Sequence, residues 1–96
     1  MRLSYHPQAR RELKNAAAHY NAERLGLGDE FLAEVDAAAN VVESYGAAMA
    51  IWHQDVRVVK LNRFPYGIYY RVIGETARVL TVKHLHRAPD AGLDRT

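Results

Sequence analysis

The spacing of apolar residues changes twice along the chain, and each change marks a new kind of element. Leu3-Ser4-Tyr5 is short and apolar at both ends, which predicts a first strand. His6-Pro7 stops it, because proline fixes φ, suits the first turn of a helix and holds the residue before it extended. From Pro7 to Leu25 the apolar positions Ala9, Leu13, Ala16, Ala17 and Tyr20 recur at helical spacing, and Gly26 offers a left-handed stop. A second helical stripe starts near Gly28-Asp29 with Phe31, Leu32, Val35, Ala38, Ala39, Val42 and Tyr45, and Gly46 ends it. A connection as short as Gly26-Leu27-Gly28 predicts an antiparallel helical hairpin.

After Gly46 the sequence becomes rich in tyrosine and β-branched residues. Val56–Leu61, Tyr66–Ile73 and Arg78–His84 read as strands. The short connections between them, Gly74-Glu75 included, predict a three-stranded antiparallel meander. The polar tail from Ala88 to Thr96 holds a proline and a glycine, and is expected to fray. The expectation is a single α+β domain over residues 1–96. It has an N-terminal strand, an α-helical hairpin and the meander, with the helices packed on one face of the sheet and the other face partly open.

Alternation along the strands then assigns side chains. Tyr66, Ile68, Tyr70 and Val72 are expected to pack against Phe31, Val35 and Val42, with Leu13 and Tyr20 completing the core. Leu80, Val82 and His84 are expected on that same side. Tyr69, Arg71, Thr81 and Lys83 fall to the open face, where Lys60 joins them. Interleaved aromatic and basic groups suit single-stranded RNA, and they equally suit a plain solvated face. Trp52, in the apolar run Ala47–Trp52, reads as a core plug, with an interface anchor as the alternative.

Composition narrows the function classes. Hydrophobic residues make up 49% of the 96 and charged residues 25%, an ordinary globular balance. With no cysteine there is no disulfide framework, thiol nucleophile or thiolate metal site. Ala47–Trp52 is far shorter than the roughly 20 apolar residues of a membrane span. His6, Arg10 and Arg11 stand where a signal peptide would be apolar. A cytoplasmic protein without membrane contact is expected.

The net charge of +2 is unevenly spread: residues 1–14 carry +3, residues 15–50 carry −5 and residues 51–96 carry +4. Such segregation suggests two working surfaces, one of them suited to a polyanion. Site chemistry is sparse. His84 and His86 share a strand face, but no third ligand stands at a zinc spacing, so no metal is expected. His6, His19 and His53 read as surface or packing residues. There is no glycine-rich phosphate loop and no nucleophile elbow, so neither a cofactor nor a small-molecule ligand is expected.

One segment carries a family resemblance. Arg63-Phe64-Pro65-Tyr66-Gly67-Ile68-Tyr69-Tyr70-Arg71-Val72, following Val59-Lys60-Leu61, resembles the RelE/ParE toxin superfamily, and its ParE-like plasmid-stabilisation branch most closely. Tyr5-His6-Pro7-Gln8-Ala9, Gly26-Leu27-Gly28-Asp29-Glu30-Phe31 and Val82-Lys83-His84-Leu85-His86-Arg87 with Pro89 extend the likeness over residues 3 to 89. The resemblance implies a helix hairpin on an antiparallel sheet and the toxin of a type II toxin–antitoxin pair, silenced by a cognate antitoxin. ParE-like members bind DNA gyrase; RelE-like members cut mRNA on the ribosome without metal.

Metal-free RNA cleavage needs a base or activator for the 2′-OH, charge for the phosphate and an acid for the leaving oxygen. Lys60 matches a RelE-type lysine. Gly67 stands where a RelE-type arginine would be, no tyrosine follows Tyr70, and Asp55 is the only acid between Glu43 and Glu75. The expectation is therefore a gyrase-binding toxin without catalytic residues of its own. An mRNA endonuclease built on Lys60, Arg71, His84 and Arg87 is the alternative, and a non-toxic antitoxin-binding relic the third. Partner contacts are expected from Arg57, Lys60, Arg63, Tyr69, Arg71, Lys83 and Arg87.

Overall fold

The computed structural model describes residues 1–96. The elements run β1 (Arg2–Tyr5), α1 (Pro7–Glu23), α2 (Leu27–Tyr45), a 3₁₀ turn (Gly46–Ala48), β2 (Ile51–His53), β3 (Val56–Lys60), β4 (Tyr66–Ile73) and β5 (Thr76–His84). They form one five-stranded sheet in the order β1-β5-β4-β3-β2. β1 lies parallel to β5, with Arg2 opposite Thr76 and Tyr5 opposite Val79, and every other pairing is antiparallel. The predicted strand, hairpin and meander are all present. β2 is an additional edge strand, so the apolar run ending at Trp52 does not enter the core. Trp52 keeps 44% of its surface exposed and meets the Tyr69 ring edge-on at 5.6 Å, which corrects the core-plug assignment.

Local chemistry sets the hairpin. His6 is extended (φ −59°, ψ 138°), Pro7 opens α1, and the Gln8 N–H donates to His6 Nδ1 at 3.0 Å. At the turn, Asn21 Oδ1 accepts from the N–H groups of Gly26 and Gly28 at 3.2 and 2.8 Å. Gly26 takes φ +90°, a conformation open to glycine. A Cβ on Gly28 would collide with the Ala17 carbonyl, so glycine is what lets α2 begin this close to α1.

The helix-facing core follows the expected lists. Ile68 and Tyr70 are fully buried with Phe31, Val35 and Val42, and Leu13, Tyr20, Tyr66 and Val72 pack around them. The Tyr70 hydroxyl donates to Gly46 O at 2.8 Å, and burial raises its pKa although the nearby Arg57 charge opposes this. Tyr20, Phe31, Phe64 and Tyr66 form an aromatic cluster, with Tyr20–Phe64 ring centres 4.8 Å apart and Phe31–Tyr66 5.1 Å. Within the Arg63–Tyr66 segment, then, Phe64 and Tyr66 fasten the β3–β4 loop to the hairpin.

The opposite face departs from expectation. Tyr69 pairs with Thr81 but Tyr70 pairs with Val79, leaving Leu80 as an extra residue in β5. This bulge breaks strict alternation, so Val79 and Val82 both join the helix-side core while Leu80 turns away. Leu80 belongs to a second cluster with Val56, Tyr69 and Leu93. Leu93 comes from the tail expected to fray. Residues 88–96 instead fold as successive tight turns, closed by Ala91 N–H to Ala88 O, Leu93 N–H to Asp90 O and Arg95 N–H to Gly92 O. They lie as a strap across the sheet, with Gly92 (φ +79°) close against Thr81.

Candidate functional site

The strap removes most of the expected open-face site. Tyr69, Thr81 and Lys83 are only 5%, 1% and 2% exposed, which corrects their placement on an open surface. Lys83 Nζ donates to the carbonyls of Ala88, Pro89 and Ala91 at 2.9, 2.8 and 3.2 Å and sits 4.7 Å from the Tyr69 ring centre. Burial, with the Arg87 charge adding to it, pulls the Lys83 pKa below the usual lysine range. All three ammonium hydrogens are engaged, so none is left for a phosphate. Arg71 Nε lies 2.7 Å from Asp55 Oδ2. Arg71 also reaches Arg95 O, and Arg78 reaches Thr96 O. The interleaved cations that suggested an RNA surface hold down the chain's own tail.

Arg63 is also occupied. Its Nη2 donates to Glu30 Oε1 at 2.8 Å, and Glu34 Oε1 accepts from the Asn62 and Arg63 N–H groups at 3.0 Å each. Hydrogen bonds from Arg63 and Arg24 hold the Glu30 carboxyl below its ordinary pKa. Here the acidic middle of the chain meets the basic C-terminal part within one molecule.

His84 lies on the helix side, edge-on to Tyr66 with ring centres 5.4 Å apart, and its Nδ1 accepts from the His86 N–H at 3.1 Å. It shares a shallow notch of about 210 Å³ with Asn15, His19 and Arg87. Lys60 and Arg71 occupy the other face, in register with Gly67 and Val56 respectively. The four residues of the nuclease alternative therefore do not converge on one point.

Two strand edges remain. β5 continues beyond its last β1 pair, Tyr5 opposite Val79. Side chains close that edge: Glu12 Oε1 accepts from the Val82 N–H, the Thr81 hydroxyl and Arg95 Nη1, and Arg95 also donates to Leu80 O. β3 continues beyond its last β2 pair, Arg57 opposite Ile51, and Val58–Lys60 has no strand on that side. The Leu61 N–H donates to Tyr66 O, so alternation aims the Lys60 main-chain groups outward. Beside this edge runs a groove of about 170 Å³ between α2 (Glu34, Ala37, Ala38, Val41) and the β3 end (Val59, Lys60, Leu61, Asn62).

Arg57 is not among the residues that line this groove; it lies opposite Ile51 of β2. Its cross-strand partner is Tyr70, which places it on the helix-facing side, two residues before the buried Val59. Its Nε and Nη1 are buried without a hydrogen-bond partner. Val41, Tyr45, Ile51 and Trp52 are exposed apolar side chains, and Trp52 meets Tyr69 on the face opposite Arg57. Arg57 was expected as a surface cation. Its shared parity with Val59 was the sequence signal that it points under the helices.

No family model matches the sequence, and no curated protein does. A solved structure described as the chromosomal ParDE TA system from P. aeruginosa has a chain that superposes with a TM-score of 0.78. It covers 88% of this chain and 95% of its own at 18% identity. The chain thus has the ParE/RelE-type toxin fold, as the sequence resemblance implied. No helix is long and apolar enough to cross a membrane.

Proposed function

We propose that this chain is the toxin of a type II toxin–antitoxin module, ParE-like, acting in the cytoplasm by binding DNA gyrase and silenced by a cognate antitoxin. The likeness to a ParDE chain over 88% of the length carries the reading. The absence of convergence among Lys60, Arg71, His84 and Arg87 favours action by protein contact over RNA cleavage, which needs its acid, base and charges around one phosphate. The C-terminal cations that keep an exposed side chain, Lys60, Arg63 and Arg87, attract an acidic antitoxin tail and speed its docking. Arg57 and Arg71 are both partly buried. Antitoxin affinity then falls with salt.

The notch shared by His84, His19, Asn15 and Arg87 keeps a second reading in play, an mRNA endonuclease using histidine as the proton carrier. A pulse of induced protein separates the readings. Gyrase-linked DNA breaks support the proposal, mRNA cuts at codon positions support the nuclease, and unimpeded growth means a relic that only binds its antitoxin. Under the proposal, Lys60→Ala and Arg87→Ala lower toxicity partially at most. Complete loss in either folded variant, together with loss of mRNA cutting, transfers the assignment to the nuclease.

A further inference from the structure

Just past the point where Glu12 closes the β5 edge, a set of hydrogen-bond donors stands without acceptors. The notch there is walled by Asn15 and His19 of α1 on one side and by Tyr66, His84 and Arg87 on the other. The Leu85 N–H donates inward to Pro65 O, so alternation turns the His84 N–H, like that of Val82, toward the open edge. The His84 ring is oriented as well. Its Nδ1 accepts from the His86 N–H, so the neutral ring carries its proton on Nε2, as a donor. Arg63, Arg71, Arg78, Lys83 and Arg95 all end on acceptors of the chain itself, whereas no carboxylate or carbonyl takes Arg87. Burial raises the Tyr66 pKa and the Arg87 charge opposes it; burial lowers the Lys83 pKa and the Arg87 charge adds to it. The guanidinium thus stands near a phenol and an ammonium, with no anion to balance it.

We propose that the α1–β5 notch binds a phosphate group, free or borne by a nucleotide, with the His84 N–H and Nε2–H, the Asn15 amide and the Arg87 guanidinium as its donors. Three features favour that anion. Donors on two facing walls suit a tetrahedral group with oxygens on every side, where a flat carboxylate presents only two. A guanidinium and a main-chain N–H are recurrent phosphate contacts. The one carboxylate in the lining does not oppose it, because Glu12 Oε1 accepts from Thr81 and Val82 and its charge is balanced by Arg95. His19 is tied to Glu23 through Nε2 at 3.3 Å and serves as wall rather than donor. A volume of about 210 Å³ holds the phosphate and leaves any sugar and base outside. There the exposed His86 ring, 5.2 Å from that of His84, offers a stacking surface. Binding implies no cleavage, since Lys60 and Arg71 lie on the other face of the sheet. The site stands apart from the gyrase reading and from the groove beside β3.

The test titrates the isotopically labelled full chain with sodium phosphate at constant ionic strength, chloride being the balancing salt. The NMR signals of the His84 N–H, the Asn15 side-chain amide and the Arg87 Nε–H shift together and saturate, with a Kd on the order of 1–10 mM. Arg87→Met weakens binding about tenfold or more, and Asn15→Ala about threefold. Both side chains are exposed, so the fold does not depend on them. Arg2→Ala removes an equal charge at the opposite end of the sheet, beside Thr76, and changes binding by less than about twofold. Thymidine 5′-monophosphate and thymidine separate the sources. A gain of about fivefold or more for the nucleotide over inorganic phosphate marks a nucleotide-borne group, and a smaller gain marks the free ion. Signals that fail to saturate overturn the proposal. So do equal losses in Arg2→Ala and Arg87→Met, or the same shifts with thymidine alone. Because inorganic phosphate is the probe, a failure here leaves the toxin reading to its own experiment, and a non-toxic chain leaves this site standing.

Discussion

β5 and β3 each outrun their neighbouring strand, and the two exposed edges are treated in opposite ways. Beyond β1, the edge of β5 is closed by one carboxylate and one guanidinium, Glu12 from α1 and Arg95 from the strap. Beyond β2, the edge of β3 has an open groove beside it. A bare edge is a template for pairing with another chain, and proteins usually block it. A molecule that blocks one edge with buried charge and leaves the other bare separates the side that must stay shut from the side free to meet a partner.

The sharpest way to break this contrast is Glu12→Ala. It leaves the Val82 amide, the Thr81 hydroxyl and the Arg95 guanidinium without their shared acceptor. Glu12 and Arg95 are only 19% and 21% exposed, so a loss of about 2–4 kcal/mol is expected by urea unfolding. Glu12→Gln keeps an acceptor and loses about 1–2 kcal/mol. A change below that range in both variants means that the β5 edge is held by packing alone.

Leu93→Ala opens the same edge indirectly. Emptying the space among Val56, Tyr69 and Leu80 loosens the strap that carries Arg95, at a cost of about 2–3 kcal/mol. Rising proteolysis of residues 88–96, with the rest of the chain intact, is the signature expected. Amide exchange compares the two edges without mutation. The Val82 N–H, bonded to Glu12, exchanges at least roughly tenfold more slowly than the outward Lys60 N–H. Equal rates erase the distinction.

The smallest effect is on pH. Glu30 has a folded pKa held below its ordinary 4.5 by Arg63 and Arg24, so its contribution is complete above that value. It fades as pH falls through the lowered folded value, when the unfolded chain already holds the proton. The carboxyl is solvent-exposed, so Glu30→Gln flattens the acid limb of the stability curve only slightly.

The helix-facing half of the fold was legible because its rules are local. Helical stripes, the proline after His6 and the alternation of Tyr66, Ile68, Tyr70 and Val72 all act within a few residues. What stayed hidden depends on contacts that no local pattern encodes. One extra residue at Leu80 reversed the facing of the rest of β5. The strap looked like a fraying tail because Leu93 is its only large apolar residue and its other anchors are carbonyls reached by Lys83, Arg71 and Arg78. Cations read from sequence alone look alike whether they wait for a phosphate or for the protein's own backbone. Of the expected contact residues, Lys60, Arg63 and Arg87 kept exposed side chains, and Arg57 turned to the helix-facing side, as its strand parity with Val59 foretold.

The parallel pairing of β1 with β5 also places the molecule's completion late in time. Arg2 meets Thr76 and Tyr5 meets Val79, so the first strand made has no partner until most of the chain exists. At synthesis rates of about 5–20 residues per second, that wait is on the order of 4–15 s. The helical hairpin, built from near-neighbour contacts, forms well before then and stands with its apolar stripe uncovered. A ribosome that stalls before Val79 leaves the N-terminal strand unpaired. One that stalls before Leu93 leaves Tyr69, Thr81 and Lys83 without their cover. The strap at residues 88–96 therefore decides when this protein becomes itself.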